Sequence, residues 1–180
     1  MSQALILIDI QNDYFPGGRM TLDGADAAAE NAARLLERFR TQGRPLFHIQ
    51  HLAAQPNATF FLPGTTGAEL HPRVAPRAGE LVIQKNFPNA FRDTKLEIEL
   101  LSRGIRELLV AGNMTHMCID ASVRAAFDLG FSVDLAFDAC ATRTLKFGEK
   151  EVPADQVQGS FIAALSGTYA KACSTAQLLA

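Results

Sequence analysis

Apolar residues in this chain follow two patterns. Unbroken apolar runs, chiefly Ala4-Leu5-Ile6-Leu7-Ile8 and Leu108-Leu109-Val110-Ala111, alternate with longer stretches in which apolar positions return every three or four residues. A short unbroken run suits a strand buried on both faces of a parallel sheet, whereas the wider spacing marks one face of a helix. The second pattern runs from about Asp26 through Ala28, Ala32, Leu35, Leu36 and Phe39, with Gly43 as its stop. Pro45-Leu46-Phe47-His48-Ile49 predicts a second strand, and Leu81-Val82-Ile83 a third that ends at Gln84-Lys85. Between them, Pro56, Pro63, Gly64, Gly67, Pro72, Pro76 and Gly79 describe a long connection with one helical turn near Ala68. Connections of that length usually line a site or an interface.

Thr94-Lys95-Leu96-Glu97 has the form of a capping box, opening a helix through Leu100 and Leu101 that closes near Gly104. Leu108–Ala111 is the fourth strand. A helix through Ile119–Ala126 follows and stops at Gly130, and Phe131–Phe137 predicts a fifth strand ending at Asp138. Val157, Phe161, Ala164 and Leu165 mark a further helix, Tyr169–Cys173 a short last strand, and Thr175 the cap of a terminal helix. Strand and helix alternate without a linker or repeat. This predicts one domain over residues 1–180, of class α/β: a doubly wound, three-layer α/β/α fold with a mainly parallel sheet of about six strands.

Composition narrows the partners. A formal net charge of −2 gives no reason to expect nucleic acid or an anionic membrane surface. Three widely spaced cysteines make neither a disulfide framework nor a zinc-binding pair. Met1-Ser2-Gln3 opens no leader-like segment and no apolar run approaches a membrane span, so the expectation is a cytoplasmic protein. A dinucleotide-binding module would need a glycine-rich turn after the first strand, where this chain has Asp9-Ile10-Gln11-Asn12-Asp13.

Candidate chemistry lies at the strand ends, because an open α/β sheet binds ligands beyond the carboxyl ends of its strands. Three unlike polar groups fall there: Asp9, Lys85 and Cys118. Each has a plain structural explanation: a turn former, a solvated charge, and a buried thiol packed as a small hydrophobe. Together they can do more. A carboxylate can take a thiol's proton, and an ammonium close by stabilises the thiolate. A helix opening near Cys118 would also favour ionisation of the thiol.

Three stretches carry a family likeness: Leu7-Ile8-Asp9-Ile10-Gln11-Asn12-Asp13-Tyr14-Phe15, Lys85-Asn86-Phe87-Pro88-Asn89-Ala90-Phe91 and Gly112-Asn113-Met114-Thr115-His116-Met117-Cys118. Gly64–Leu70 and Asp138–Thr142 support them. In this order the chain resembles the isochorismatase-like cysteine hydrolases, among them nicotinamidases, N-carbamoylsarcosine amidohydrolase and ureidoacrylate amidohydrolase. The resemblance implies Asp9 as general base, Lys85 as its charged partner and Cys118 as nucleophile. It also implies a cis peptide at Asn113–Met114 and an oxyanion hole built from the Met114 and Cys118 N–H groups. The expected activity is cleavage of a C–N bond in a small amide, ureide or carbamoyl compound through a thioester. An ester or cyclic imide substrate, or a catalytically silent binding protein, are the alternatives. The presence of Cys118 speaks against isochorismate itself as substrate.

Nicotinamidases bind a metal through an Asp-x-His pattern after the second strand, where this chain has Phe47-His48-Ile49-Gln50-His51. Without the aspartate, His48 and His51 read as strand-end polar residues and His71 as a loop residue, so no metal or cofactor is expected and nicotinamide is disfavoured as substrate. Gln11, Phe15, Phe87, Phe91 and His116 are the expected substrate-binding residues, with Gln11 also orienting the Asp9 loop, His116 facing either the pocket or a partner subunit, Phe60 and Phe61 as lid or interface, and Cys140 and Cys173 as structural. The resemblance further implies a homo-oligomer, dimer or tetramer, acting on a small-molecule substrate.

Overall fold

A computed structural model describes residues 3–180; the Met1-Ser2 opening lies outside the described residues. Six parallel strands form the central sheet: β1 (Ala4–Ile8), β2 (Leu46–His51), β3 (Leu81–Lys85), β4 (Glu107–Asn113), β5 (Ser132–Ala141) and, from the far end of the chain, Lys171–Cys173. A short antiparallel hairpin of β6 (Leu145–Phe147) and β7 (Lys150–Val152) precedes that last strand, which is β8. The sheet order is β3-β2-β1-β4-β5-β8. Successive strands therefore move outward from β1 in one direction, then restart on its other side at β4. The carboxyl ends of β1 and β4 flank this reversal, the place where the connections diverge and leave a crevice.

All five residues of β1 are buried, and their alternation divides the core in two. Ala4, Ile6 and Ile8 join one apolar cluster; Leu5 and Leu7 join the other. The helices are α1 (Ala25–Thr41), α2 (Leu96–Ser102), α3 (Asp120–Asp128), α4 (Ala154–Leu165) and α5 (Thr175–Leu179). Ala28, Ala32, Leu35, Leu36 and Phe39 of α1 pack with Leu5 and Leu7, whereas Leu96 and Leu100 of α2 and Val123 and Ala126 of α3 cover the opposite face. Each large aliphatic side chain buried this way contributes about 1.5–3 kcal/mol, which is why the run of β1 fixes the centre of the fold. The three-layer α/β/α architecture and its six-stranded parallel sheet follow.

The structure differs from the sequence pattern in four local places. The capping box at Thr94–Glu97 does not form: α2 starts at Leu96, and Thr94 Oγ1 donates to the Ala90 carbonyl at 2.6 Å while accepting from Leu96 N at 3.3 Å. β5 runs past Asp138 to Ala141, because a register shift opposite Val110 and Gly112 loops residues out before pairing resumes. Asp138 Oδ1 instead accepts from both Thr175 N and Thr175 Oγ1 at 2.7 Å, fastening the terminal helix. That helix is capped by Ser174 with Gln177, not by Thr175. The β6–β7 hairpin, two strands of three residues joined through Gly148-Glu149, is too short for its alternation to stand out along the chain.

Candidate active site

β1 ends at Ile8, and Asp9 turns sharply with a φ of 52°, a left-handed conformation that Asp tolerates better than most residues. Lys85 is the last residue of β3, and its side chain is drawn inward although Gln84 beside it faces solvent. β4 ends at Asn113, the Asn113–Met114 peptide is cis, and Thr115–Ile119 form a π-helical turn that carries Cys118 into α3. These three elements bring Asp9, Lys85 and Cys118 together, with exposures of 0%, 1% and 5%.

Lys85 Nζ lies 2.7 Å from Asp9 Oδ2 and 3.3 Å from Cys118 Sγ. The Asp9 contact is an ion contact, set off the direction of a hydrogen bond, so both carboxylate oxygens keep free lone pairs for a proton. Burial pulls the Lys85 pKa down, but the charges of Asp9 and Cys118 outweigh it and raise it, so the ammonium persists. The thiol goes the other way. Burial, then the Asp9 carboxylate, push Cys118 well above the ordinary thiol range, and Lys85 offsets only part of this. The expectation of a readily ionised thiol is thus corrected: a sealed site beside a carboxylate disfavours a second negative charge more than one ammonium favours it.

The approaches to the site hold polar groups that sequence patterning missed. His51 Nδ1 is 2.9 Å from Lys85 Nζ, and the two residues are direct partners in the β2–β3 register. Tyr14 is buried, and its phenol is raised by burial and then by Cys118 and Asp9. Arg143, just beyond β5, has a buried Nε without a protein partner. Tyr14 lies in the first family stretch and His51 in the segment that ends the second strand, but no spacing shows that they and Arg143 meet here, because they come together only when parallel strands are set in register.

The expected substrate-binding residues fall in different places. Gln11 is wholly buried with its amide committed to backbone groups of His51 and Ala68, so it braces the site and has no free group for a ligand. The Phe91 ring stacks on Phe131 at 5.8 Å, and Phe131 stands before the first residue of β5. That is the amino end of the sheet, away from the three groups, because the Asn89–Asp93 turn folds the ring down onto the core. Phe15 stacks on His71 at 3.8 Å and lines a separate cavity of about 460 Å³ with Asn12, Arg19 and Thr66. Phe87 contributes its carbonyl, which accepts from Lys85 Nζ at 3.1 Å, while its ring lies under the Arg92 guanidinium. His116 is half-buried and shares a 2.6 Å hydrogen bond with Thr142 Oγ1. Phe61 packs edge-on against Tyr14 at 4.7 Å and 5.8 Å from the His51 ring.

Asp9, His51 and Cys118 together offer a carboxylate, an imidazole and a thiol within 4.8 Å of one another, a set that could hold a metal ion. Lys85 Nζ stands within 3.3 Å of an atom of each, so its positive charge already fills the space a cation would take. The set therefore does not fit a metal while Lys85 keeps its charge.

No helix of the described residues is long and apolar enough to cross a membrane. A family model for the isochorismatase domain matches residues 3–163. The uncharacterized isochorismatase family protein YddQ of Bacillus subtilis is 49% identical over 179 residues, covering 99% of each chain. Streptothricin hydrolase of Streptomyces noursei is 37% identical across 78% of this chain and 50% of its own length. N-carbamoylsarcosine amidase of Arthrobacter is 31% identical across 71% of this chain and 55% of its own length. Among solved structures, an isochorismatase from Pseudomonas putida superposes with a TM-score of 0.91 at 37% identity, covering 98% of this chain and 89% of that one. With its fold, its strand-end groups and its relatives in agreement over the length of the sheet, the chain belongs to the isochorismatase family.

Proposed function

We propose that this isochorismatase-family protein is a cysteine-dependent hydrolase that cleaves a C–N bond of a small amide, ureide or carbamoyl compound. The observation that carries this reading is the convergence of Asp9, Lys85 and Cys118 within hydrogen-bonding reach at one sealed strand end. Relatives named as a hydrolase and an amidase support the reaction class.

Because the resting thiol is neutral, deprotonation accompanies attack. Asp9 takes the proton from Cys118 as Sγ bonds to the substrate carbonyl carbon, and the carbonyl π electrons move to oxygen. The oxyanion rests on the Met114 and Cys118 N–H groups; among the described residues the Met114 N–H has no protein acceptor. Losing one such donor costs about 10²–10³ in rate. Asp9 then returns its proton to the leaving nitrogen, the C–N bond breaks, and a thioester remains. Water, deprotonated by Asp9, adds to the thioester, and collapse releases the acid and restores the thiol with that same proton. Lys85 stays protonated throughout and balances the negative charge, which passes from the carboxylate by way of sulfur to the substrate oxyanion and returns to the carboxylate on collapse.

The protein in this reading works in the cytoplasm as a homo-oligomer, dimer or tetramer, on a small molecule. A panel of small amides, ureides and carbamoyl compounds, scored for ammonia or amine release, tests the chemistry. Wild-type release that disappears in Cys118→Ala supports it; an undiminished rate in that variant overturns it.

A further inference from the structure

Lys85 Nζ has three protons and four neighbours able to accept one. These are Asp9 Oδ2 at 2.7 Å, His51 Nδ1 at 2.9 Å, the Phe87 carbonyl at 3.1 Å and Cys118 Sγ at 3.3 Å. An ammonium only donates, so His51 can take part only with Nδ1 unprotonated. Burial, and then the Lys85 charge, hold the imidazole below its ordinary pKa, with Asp9 opposing them. The neutral form with its proton on Nε2 fits all of these surroundings.

The His51 ring is held by its own backbone. Gln11 Oε1 accepts from His51 N at 2.7 Å, and Gln11 Nε2 donates to His51 O at 2.9 Å and to Ala68 O at 2.8 Å. Such a two-point clamp by a fully buried amide fixes the end of β2 relative to the turn after Asp9. It also gives the expected loop-orienting role of Gln11 a physical form and leaves its amide no free group for a substrate.

We propose that His51, clamped through its peptide by Gln11, is a positioning residue for Lys85. Its Nδ1 takes one ammonium proton and the Phe87 carbonyl takes a second, which directs the third to the gap between Asp9 and Cys118. This rests on the thiol chemistry proposed above and adds to it. In the resting site that proton makes the hydrogen bond to Cys118 Sγ at 3.3 Å, with the Asp9 carboxylate beside it at 2.7 Å, off the hydrogen-bond direction. As Asp9 accepts the thiol proton, negative charge passes to Sγ, and the same Lys85 proton is already beside it. The counter-charge follows the reaction without rotation of a long, flexible side chain, a motion lysine otherwise makes freely.

Two variants separate the role from mere packing. His51→Asn keeps an acceptor oxygen near the position of Nδ1, and His51→Leu keeps bulk but accepts nothing. In nitrogen NMR of the full chain, the His51 signals are those that vanish in His51→Asn among four histidines. At pH 7 they should show an unprotonated Nδ1 whose shift moves on Lys85→Met. Exchange of the Lys85 ammonium hydrogens should speed up about tenfold or more in His51→Leu and stay near wild type in His51→Asn. With the amide that wild type hydrolyses fastest, His51→Leu should lose about 10² in kcat with KM little changed, and His51→Asn should recover most of that loss.

A proton on Nδ1 in the wild-type protein overturns the proposal, as does a leucine variant with wild-type ammonium exchange and kcat. The tautomer is read on the unmodified chain, so that arm decides the matter even if His51→Leu does not fold. Hydrolysis that survives Cys118→Ala would defeat the thiol chemistry instead, leaving the His51 tautomer where it was found.

Discussion

Lys85 Nζ and Asp9 Oδ2 are 2.7 Å apart, and neither side chain has any exposed surface. A pair this deep is stabilising only as a pair. Each charge has lost its water, and removing one partner leaves the other buried alone, at a cost of about 3–5 kcal/mol. Asp9→Asn, which tolerates the φ of 52°, should therefore unfold at markedly lower urea than wild type. Adding Lys85→Met should return much of that stability with no return of hydrolysis. A double-mutant cycle in urea checks this; simple additivity of the two losses would show that the charges are not coupled.

The raised pKa of Cys118 predicts slow alkylation by iodoacetamide at neutral pH, even if the protein is fully active. The rate should climb about tenfold per pH unit between 7 and 9 without levelling. Mass spectrometry of the 118 site, with Cys118→Ala as blank, reads this directly. A plateau beginning below pH 8 would mean a preformed thiolate paired with Lys85.

A second buried network predicts an acid limit. Glu80 is held to about 2, chiefly by its hydrogen bond from Arg40, with further bonds from Arg77 N and His48 Nε2. A depressed carboxyl contributes stability that is fully present above its unfolded value and is lost as pH falls through the folded one. Glu80→Gln should thus cost about 1–2 kcal/mol near neutrality, after discounting for the solvent at its rim, and the difference from wild type should shrink between about pH 4.5 and 2. Urea unfolding across that range measures it; a difference independent of pH would place the effect in packing.

Gly112 has a φ of 129°, and a Cβ there would fall 2.0 Å from the carbonyl oxygen of Ile8, directly before Asp9. Backbone cannot yield as a flexible side chain can. Gly112→Ala should force β1 and β4 apart, cost about 3 kcal/mol or more, and reduce hydrolysis in whatever fraction still folds. Wild-type stability in that variant would show that the strands can separate there without penalty.

The sequence by itself determined the layers and the order of parts. Ala4–Ile8 and Leu108–Ala111 read as buried strands because unbroken apolar runs this short suit a parallel strand covered on both faces, where a buried helix would need a longer one. The alternation with α1 and α3 then forced crossovers on both faces. Asp9 and Lys85 were legible because each stands where an apolar run stops, and Cys118 because it opens the helix that follows one. What only the tertiary structure decided is which side chains meet across strands. His51 neighbours Lys85 because β2 and β3 pair in that register, and Gln11 reaches His51 because the turn after β1 folds beneath the end of β2. Phe91 shows the same limit in the other direction: its motif position suggested the pocket, and the turn after Asn89 sent the ring to Phe131. The thiol's protonation was likewise invisible beforehand, since it depends on the balance of burial, carboxylate and ammonium, a balance of distances that no spacing along the chain contains.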